Sequence, residues 1–386
     1  MVRKVSDPTA RTPTCSALDL VPPTWSEYSV VQNNWEVAMS VIRQIGDRAT
    51  GGRITKNNFR NRLNRYSSTG EVVKGDGEIL TDAFLKSAGL WLTQGSQDVA
   101  TRNGRSDFAD AQDFLGLWHE PDSMKGTLDQ LNTDGYAILD TKISPEIVAD
   151  LASYFASAPC TLTSDQDLDM DLEDRVVVDM ENPIAVKYSV DTNAVLLNAT
   201  VRKMLLDRGL LQVAQQYLGS TPIVDIVTAW YSFPSANPSH EAAQLFHFDL
   251  DRVRWLKAFF LLTDQTIETG AHVYIPGTQR DGGISPDLLA KGYARLEDHE
   301  VAAHHPKSQW KTMVAPAGTI LLEDTRGLHK GISLKRDHRL MLQFEYAQTL
   351  FGAEPFLATV PLDNYQDEYW NAMKESHPAV FAALSR

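Results

Sequence analysis

Cysteine is nearly absent: the 386-residue chain carries two, Cys15 and Cys160. Two thiols cannot make a disulfide framework, and a reducing cytoplasm is the expected setting. No apolar run reaches the ~18 residues that a bilayer-spanning helix needs. The opening residues, Met1 to Pro8, lead into no apolar segment of the signal-peptide kind. A soluble chain without a membrane partner is therefore expected. Positive charge is also short, with 36 Lys and Arg against 50 Asp and Glu, a net charge of -14. Phosphate backbones call for clustered Lys and Arg, so no nucleic-acid partner is expected. Internal repeats and low-complexity tracts are missing too. What is present is ordinary for a globular protein, with 43% hydrophobic and 22% charged residues. The length allows two or three domains.

Residues 1 to about 30 are rich in Pro, Ser and Thr and read as an irregular arm. Trp35, Val37, Ala38, Val41, Ile42 and Ile45 fit one face of a helix, which Gly51-Gly52 ends. A basic segment follows: Arg53, Lys56, Arg60, Arg62, Arg65. It is either a solvated helix face or a patch for an anionic ligand. Gly75 to Thr93 reads as a turn and a helix, and Gln94 to Asp113 as a long polar loop. A boundary near residue 125 divides a mostly helical N-terminal extension, 1–125, from a mixed region, 126–386. There Gly135–Leu139 is strand-like, and Ser144-Pro145-Glu146 starts a helix with a capping Ser and a first-turn Pro. The acidic run Asp165, Asp167, Asp169, Asp171 has Met170 and Val176 where an EF-hand needs Gly and Glu, so a solvated loop is expected.

Further on, Ala185–Val190 is a strand and Val201–Leu218 one amphipathic helix ended by Gly219. Ile223–Phe233, Trp255–Thr263, Val273–Gly277, Thr319–Glu323 and Arg339–Tyr346 are strands, and a last helix covers Tyr365–Met373. An insert, 278–311, holds a short helix at Pro286–Lys291 and the His-rich stretch His299–His305. Many short strands separated by turn signals predict a mainly β, α+β chain built on a sandwich or jelly roll, with helices outside it.

The chemistry centres on Gln244-Leu245-Phe246-His247-Phe248-Asp249-Leu250. In an extended backbone His247 and Asp249 share one side, and Phe246, Phe248 and Leu250 take the other. Polar side chains buried in a sandwich must be paired or metal-bound. One nitrogen and one oxygen ligand call for a second histidine to complete a 2-His-1-carboxylate face, which leaves positions open on non-haem Fe(II). His329 is the candidate, at the end of the run from Gly318 and between Gly327 and Gly331, where the backbone can approach closely. Its rivals are His272, His299, His304, His305 and His338. Of these, His304 and His305 lie in a loop-like insert, and His272 could line the pocket instead. Arg339 opens a strand whose alternation puts Met341, Gln343 and Glu345 on its own face. A buried Arg needs an anion, and its planar fork suits a carboxylate, such as the far end of 2-oxoglutarate.

In order, Trp230-Tyr231-Ser232, His247-Phe248-Asp249, Gly270 to Gln279 with its Ile275-Pro276-Gly277-Thr278 turn, Gly318 to His329, and Arg339 resemble the phytanoyl-CoA dioxygenase family of Fe(II)/2-oxoglutarate oxygenases. The resemblance spans roughly 126–352 and does not reach the first 125 residues. It implies a double-stranded β-helix of the cupin-like kind, with iron on His247, Asp249 and His329 and 2-oxoglutarate on Arg339. It also implies O2 as co-substrate, a small-molecule substrate, and release of succinate and CO2. In this family a Lys on an earlier strand often assists 2-oxoglutarate, and Lys187 matches, with Tyr231 and Lys257 as competitors. Family halogenases replace the metal carboxylate with a small residue; Asp249 is present, so hydroxylation or a related oxidation is favoured. Two rivals are a cupin-type metalloenzyme that does not use 2-oxoglutarate, and a non-catalytic jelly-roll binding module. Cupins usually present His-x-His where this chain has His-x-Asp.

Overall fold

The computed structural model describes residues 54–118, 121–163, 175–234, 243–353 and 367–384. The expected arm, the Trp35–Ile45 helix, Arg53 and the acidic run Asp165–Asp171 lie outside them.

The described chain forms ten strands, and no helix interrupts the last four of them. The ten are β1 (Tyr136–Lys142), β2 (Cys160–Thr163), β3 (Lys187–Val190), β4 (Ile223–Ser232), β5 (Trp255–Leu261), β6 (His272–Tyr274), β7 (Lys311–Met313), β8 (Thr319–Glu323), β9 (His329–Gly331) and β10 (Arg339–Ala347). A seven-stranded sheet runs β1-β8-β5-β10-β4-β3-β2, and a three-stranded sheet runs β7-β6-β9. Every pairing between these strands is antiparallel. Two antiparallel sheets carrying helices on the outside form the jelly-roll core that the strand pattern predicts.

Period-2 alternation gives the large sheet two different faces. Leu322, Phe260, Leu342, Ala229 and Tyr231 point to a core shared with the helices Pro145–Ala156, Arg208–Leu218 and Glu368–Ser376. Their neighbours in sequence, Leu321, Phe259, Met341 and Trp230, point the other way, toward β6 and β7. β5 and β10 are buried along their whole length, so the polar side chains they carry, Lys257, Arg339, Gln343 and Glu345, are buried with them. A third cluster joins Phe59, Leu63 and Leu92 of the early helices to Phe248, Leu350 and Phe351. The Phe84 and Phe248 rings lie 5.3 Å apart. Phe248 thus anchors the His247–Asp249 stretch, and burial of such a ring typically stabilises by about 3 kcal/mol.

Ser144 caps the helix Pro145–Ala156 as expected, its hydroxyl accepting from the Ile147 amide. Three expectations change. Val201–Leu218 is two helices, Ala199–Leu205 and Arg208–Leu218, because buried Asp207 caps the second and also accepts from the Leu115 amide at 2.9 Å. The expected loop after Gln94 is helical through Asn103. Its Gly95 packs so closely on the helix Lys56–Thr69 that a Cβ would fall 2.8 Å from Leu63 Cδ2, a contact the polar composition hides. The basic segment is a cross-braced helix rather than an open anion patch. Arg62 and Arg65 reach Asp76 at 2.8 and 2.6 Å, Asp76 being fully buried, and Arg60 pairs with Asp98 at 3.0 Å.

Candidate metal centre

His247 and His329 are brought face to face by the backbone. They form an isolated antiparallel bridge, with N–H···O distances of 3.0 and 2.9 Å in the two directions. Asp249 is fixed two residues on by its amide, which donates to Thr325 O at 2.8 Å. The side chains converge. His247 Nε2 lies 3.8 Å from Asp249 Oδ1, His329 Nε2 lies 3.7 Å from Asp249 Oδ2, and the ring centroids are 4.2 Å apart. One donor atom from each of the three lies within 4.8 Å of the others.

Each imidazole is also held in one tautomer. His247 Nδ1 bonds Leu245 O and His329 Nδ1 bonds Gly327 O, both at 2.9 Å. A carbonyl oxygen only accepts, so each Nδ1 carries the proton and each Nε2 presents a lone pair toward Asp249. Burial disfavours the imidazolium at His247, and Arg295 and His329 add to this, so its pKa lies well below the ordinary value. Burial likewise lowers His329, against the pull of Asp249 and Glu323. Burial pushes the Asp249 carboxyl up, but the Lys257 ammonium, which also donates to it, overcomes this and holds it far below the usual carboxylate range. Two neutral imidazoles and one carboxylate are the donor set that suits non-haem Fe(II).

Glycine shapes the approach to His329. A Cβ on Gly327 would fall 2.0 Å from the Tyr274 hydroxyl, which itself donates to Asp324 O at 2.8 Å. A Cβ on Gly331 would fall 3.1 Å from Arg339 Nη1. The guanidinium therefore lies against the backbone two residues beyond His329. Arg339 donates to Gly270 O and, at 3.3 Å, to Ser232 Oγ, and its Nε has no hydrogen-bond partner. Among the described residues no carboxylate pairs with it. Burial alone brings its pKa down to about 10, with no anion to offset the loss of water. A buried cation of this kind calls for an incoming anion.

The remaining expected contacts divide by sheet face. Antiparallel partners share a face, so the register Arg339–Ser232–Lys187 puts Lys187 on the Arg339 side, with its ammonium 5.7 Å from the Trp230 ring centroid. Gln343, opposite Phe259 and Thr228, faces the same interior. Tyr231 does not. It pairs with Leu340 and Tyr188, lies in the helix-side core and stacks on Phe233, so it points away from Arg339. Lys257 is not a free competitor either: it hydrogen-bonds Asp249 Oδ2 at 2.8 Å.

Among the rival histidines, His272 comes nearest. Its ring lies 5.6 Å from that of His329, and its Nε2 sits 2.9 Å from Glu323. It lines an apolar cavity with Phe259, Leu321 and Met341. His304 and His305 lie in the insert, where His304 Nδ1 is 3.0 Å from Ser285 Oγ. Alternation alone did not single out Lys257, Tyr293 and Arg295, whose nearness to the site comes from chain folding. The signal for Lys257 was one charge in an otherwise apolar strand.

Several known proteins resemble the chain. The non-heme alpha ketoglutarate dependent epimerase SnoN from nogalamycin biosynthesis is 18% identical with a TM-score of 0.42, over 64% of this chain and 93% of its own. EctD from S. alaskensis, solved with bound Fe, is 19% identical with a TM-score of 0.41, over 67% and 90%. HygX from Streptomyces hygroscopicus, solved with nickel, 2-oxoglutarate and hygromycin B, is 15% identical with a TM-score of 0.39, over 58% and 86%. No curated protein sequence matches. The family model described as phytanoyl-CoA dioxygenase (PhyH) matches residues 131–333, more than half of the chain and the whole His247–His329 constellation. The chain belongs to the phytanoyl-CoA dioxygenase family.

Proposed function

We propose that the chain is an Fe(II)- and 2-oxoglutarate-dependent dioxygenase that hydroxylates a small molecule with release of succinate and CO2. The observation that carries this reading is a pair of tautomer-locked imidazoles aimed at Asp249, beside a buried guanidinium with no counter-ion among the described residues. In this reading His247, Asp249 and His329 hold the iron, and Arg339 takes the far carboxylate of 2-oxoglutarate. Lys187 and Gln343 line the same interior and complete the recognition of that anion. The bound iron, with 2-oxoglutarate and O2, supplies the oxidising power for a C–H bond.

The protein's own part is positioning and exclusion of water. The backbone bridge between His247 and His329 fixes their spacing, and the two carbonyls keep both Nε2 atoms unprotonated. The apolar walls Phe259, Leu321 and Met341 keep water from the interior. Residues 126–386 are the catalytic domain in this reading, and the 278–311 insert together with the helical extension within 1–125 roofs the substrate pocket.

Anaerobic titration tests the proposal. The chain should take up one Fe(II), and 2-oxoglutarate should bind only to the iron-loaded form. Stoichiometric iron without 2-oxoglutarate binding would favour the cupin-type reading. Binding of neither would favour a non-catalytic jelly roll.

A further inference from the structure

The metal-binding carboxylate does not stand alone. Asp251 follows Asp249 by two residues. Both carboxylates converge on one ammonium. Lys257 Nζ lies 2.8 Å from Asp249 Oδ2, 2.8 Å from Asp251 Oδ2 and 3.5 Å from Glu345 Oε2. Lys257 comes from β5, inside the seven-stranded sheet, where β5 pairs with β8 and β10, and only 5% of its side chain is exposed. The ammonium is thus a fixed post rather than a mobile surface charge. Asp249 keeps Oδ1 on the side of His247 while Oδ2 is occupied. Asp251 lies outside the three-residue donor group, although it is the nearest carboxylate in sequence to that group.

We propose that Lys257 is a positioning residue that limits the metal to three protein ligands, by holding Asp249 to one free oxygen and by keeping the Asp251 carboxylate away from the ion. The proposal rests on the Fe(II)/2-oxoglutarate reading, in which a 2-oxo acid needs two adjacent open positions. A fourth protein carboxylate, or a second Asp249 oxygen, would compete for the open side and add negative charge at the ion, and both would weaken its hold on an anionic chelate. The physical argument is electrostatic. A divalent ion attracts every nearby carboxylate, and Asp251 stays off it only while a competing cation is bonded to it. Arg252 pairs with Asp225 at 2.6 Å and meets Asp251 at its backbone carbonyl, so Lys257 is the cation that lies against the Asp251 carboxylate.

The test separates metal binding from 2-oxoglutarate binding, both measured anaerobically by calorimetry and by the visible charge-transfer band of the Fe(II)–2-oxo acid chelate. Lys257→Met should hold Fe(II) at least as well as wild type, yet bind 2-oxoglutarate about tenfold to a hundredfold more weakly, the range for altering groups that support metal ligands. Lys257→Met combined with Asp251→Asn should restore 2-oxoglutarate binding, because the intruding ligand is gone. Lys257→Arg should stay near wild type in both. A merely structural lysine would lower both affinities together, with no rescue. Unchanged 2-oxoglutarate binding in Lys257→Met, or loss of its iron, overturns the proposal. Should Lys257→Met not fold, the double variant decides: it removes a cation and an anion together, and failure to bind 2-oxoglutarate while holding iron also overturns the proposal. A wild-type chain that binds iron and 2-oxoglutarate leaves the parent reading standing in either case, and one that binds neither removes both.

Discussion

Replacing Arg339 by Ala should remove 2-oxoglutarate binding while sparing the metal. The guanidinium is buried, donates to one backbone carbonyl and one hydroxyl, and faces no carboxylate among the described residues. Its Nε is unsatisfied, so the cost of burying the charge remains uncompensated until an anion arrives. Breaking a buried, hydrogen-bonded ion pair typically costs about 3–5 kcal/mol. Each ~1.4 kcal/mol is tenfold in affinity, so the loss should be roughly two to three orders of magnitude. Arg339→Lys should fall between, since the charge stays and the fork is lost. Anaerobic calorimetry on the Fe(II)-loaded proteins reads the effect directly. Arg336 is the control: it lies on the surface, paired with Glu268 and Asp337 at 2.7 Å each, and Arg336→Ala should bind 2-oxoglutarate like wild type. Wild-type affinity in Arg339→Ala, with loss in Arg336→Ala, would refute the inward register of β10.

Other outcomes follow from the same geometry. Gly331→Ala puts a methyl about 3 Å from the guanidinium and should weaken 2-oxoglutarate at least tenfold, while Fe(II) affinity stays within a factor of about two. The folded-state pKa values of His247 and His329 are both lowered, so each stays neutral as pH falls through 6.5, the ordinary histidine value. Fe(II) affinity measured from pH 8 to 5 should therefore hold through about 6.5 and fall only below it; a midpoint at or above that value would contradict the burial argument. Reversing Arg62 and Arg65 to Glu leaves fully buried Asp76 unpaired and should destabilise the fold by on the order of 3 kcal/mol in denaturant melts, without changing 2-oxoglutarate affinity.

Much of the site was legible because alternation is a strong constraint. Phe246 and Phe248 had to leave His247 and Asp249 on the opposite side, and in the structure those rings pack into the core shared with the early helices. The same rule placed Met341 and Gln343 with Arg339. What alternation cannot supply is register between strands. Tyr231 is one residue from Ser232, and that single step moves it from the Arg339 face to the helix-side core. Lys257 interrupts an apolar strand and read as a competitor for 2-oxoglutarate, since its partners Asp249, Asp251 and Glu345 come from other segments. The break at Asp207 was hidden because apolar periodicity continues across it, while the capping bond that starts the second helix is local and polar. The arginines of the early helix looked free because Asp76, their common partner, stands beyond an intervening turn.

The central claim is that His247, Asp249 and His329 hold iron whose open side faces Arg339 across the sheet interior. A crystal structure of the chain soaked anaerobically with Fe(II) and 2-oxoglutarate, with iron located by its anomalous scattering, tests this most directly. The account predicts one iron bonded to His247 Nε2, His329 Nε2 and Asp249 Oδ1, chelated by the 2-oxo acid end, with the far carboxylate on the Arg339 guanidinium. Iron bound instead through His272 or Asp251, or 2-oxoglutarate lying away from Arg339, would contradict it.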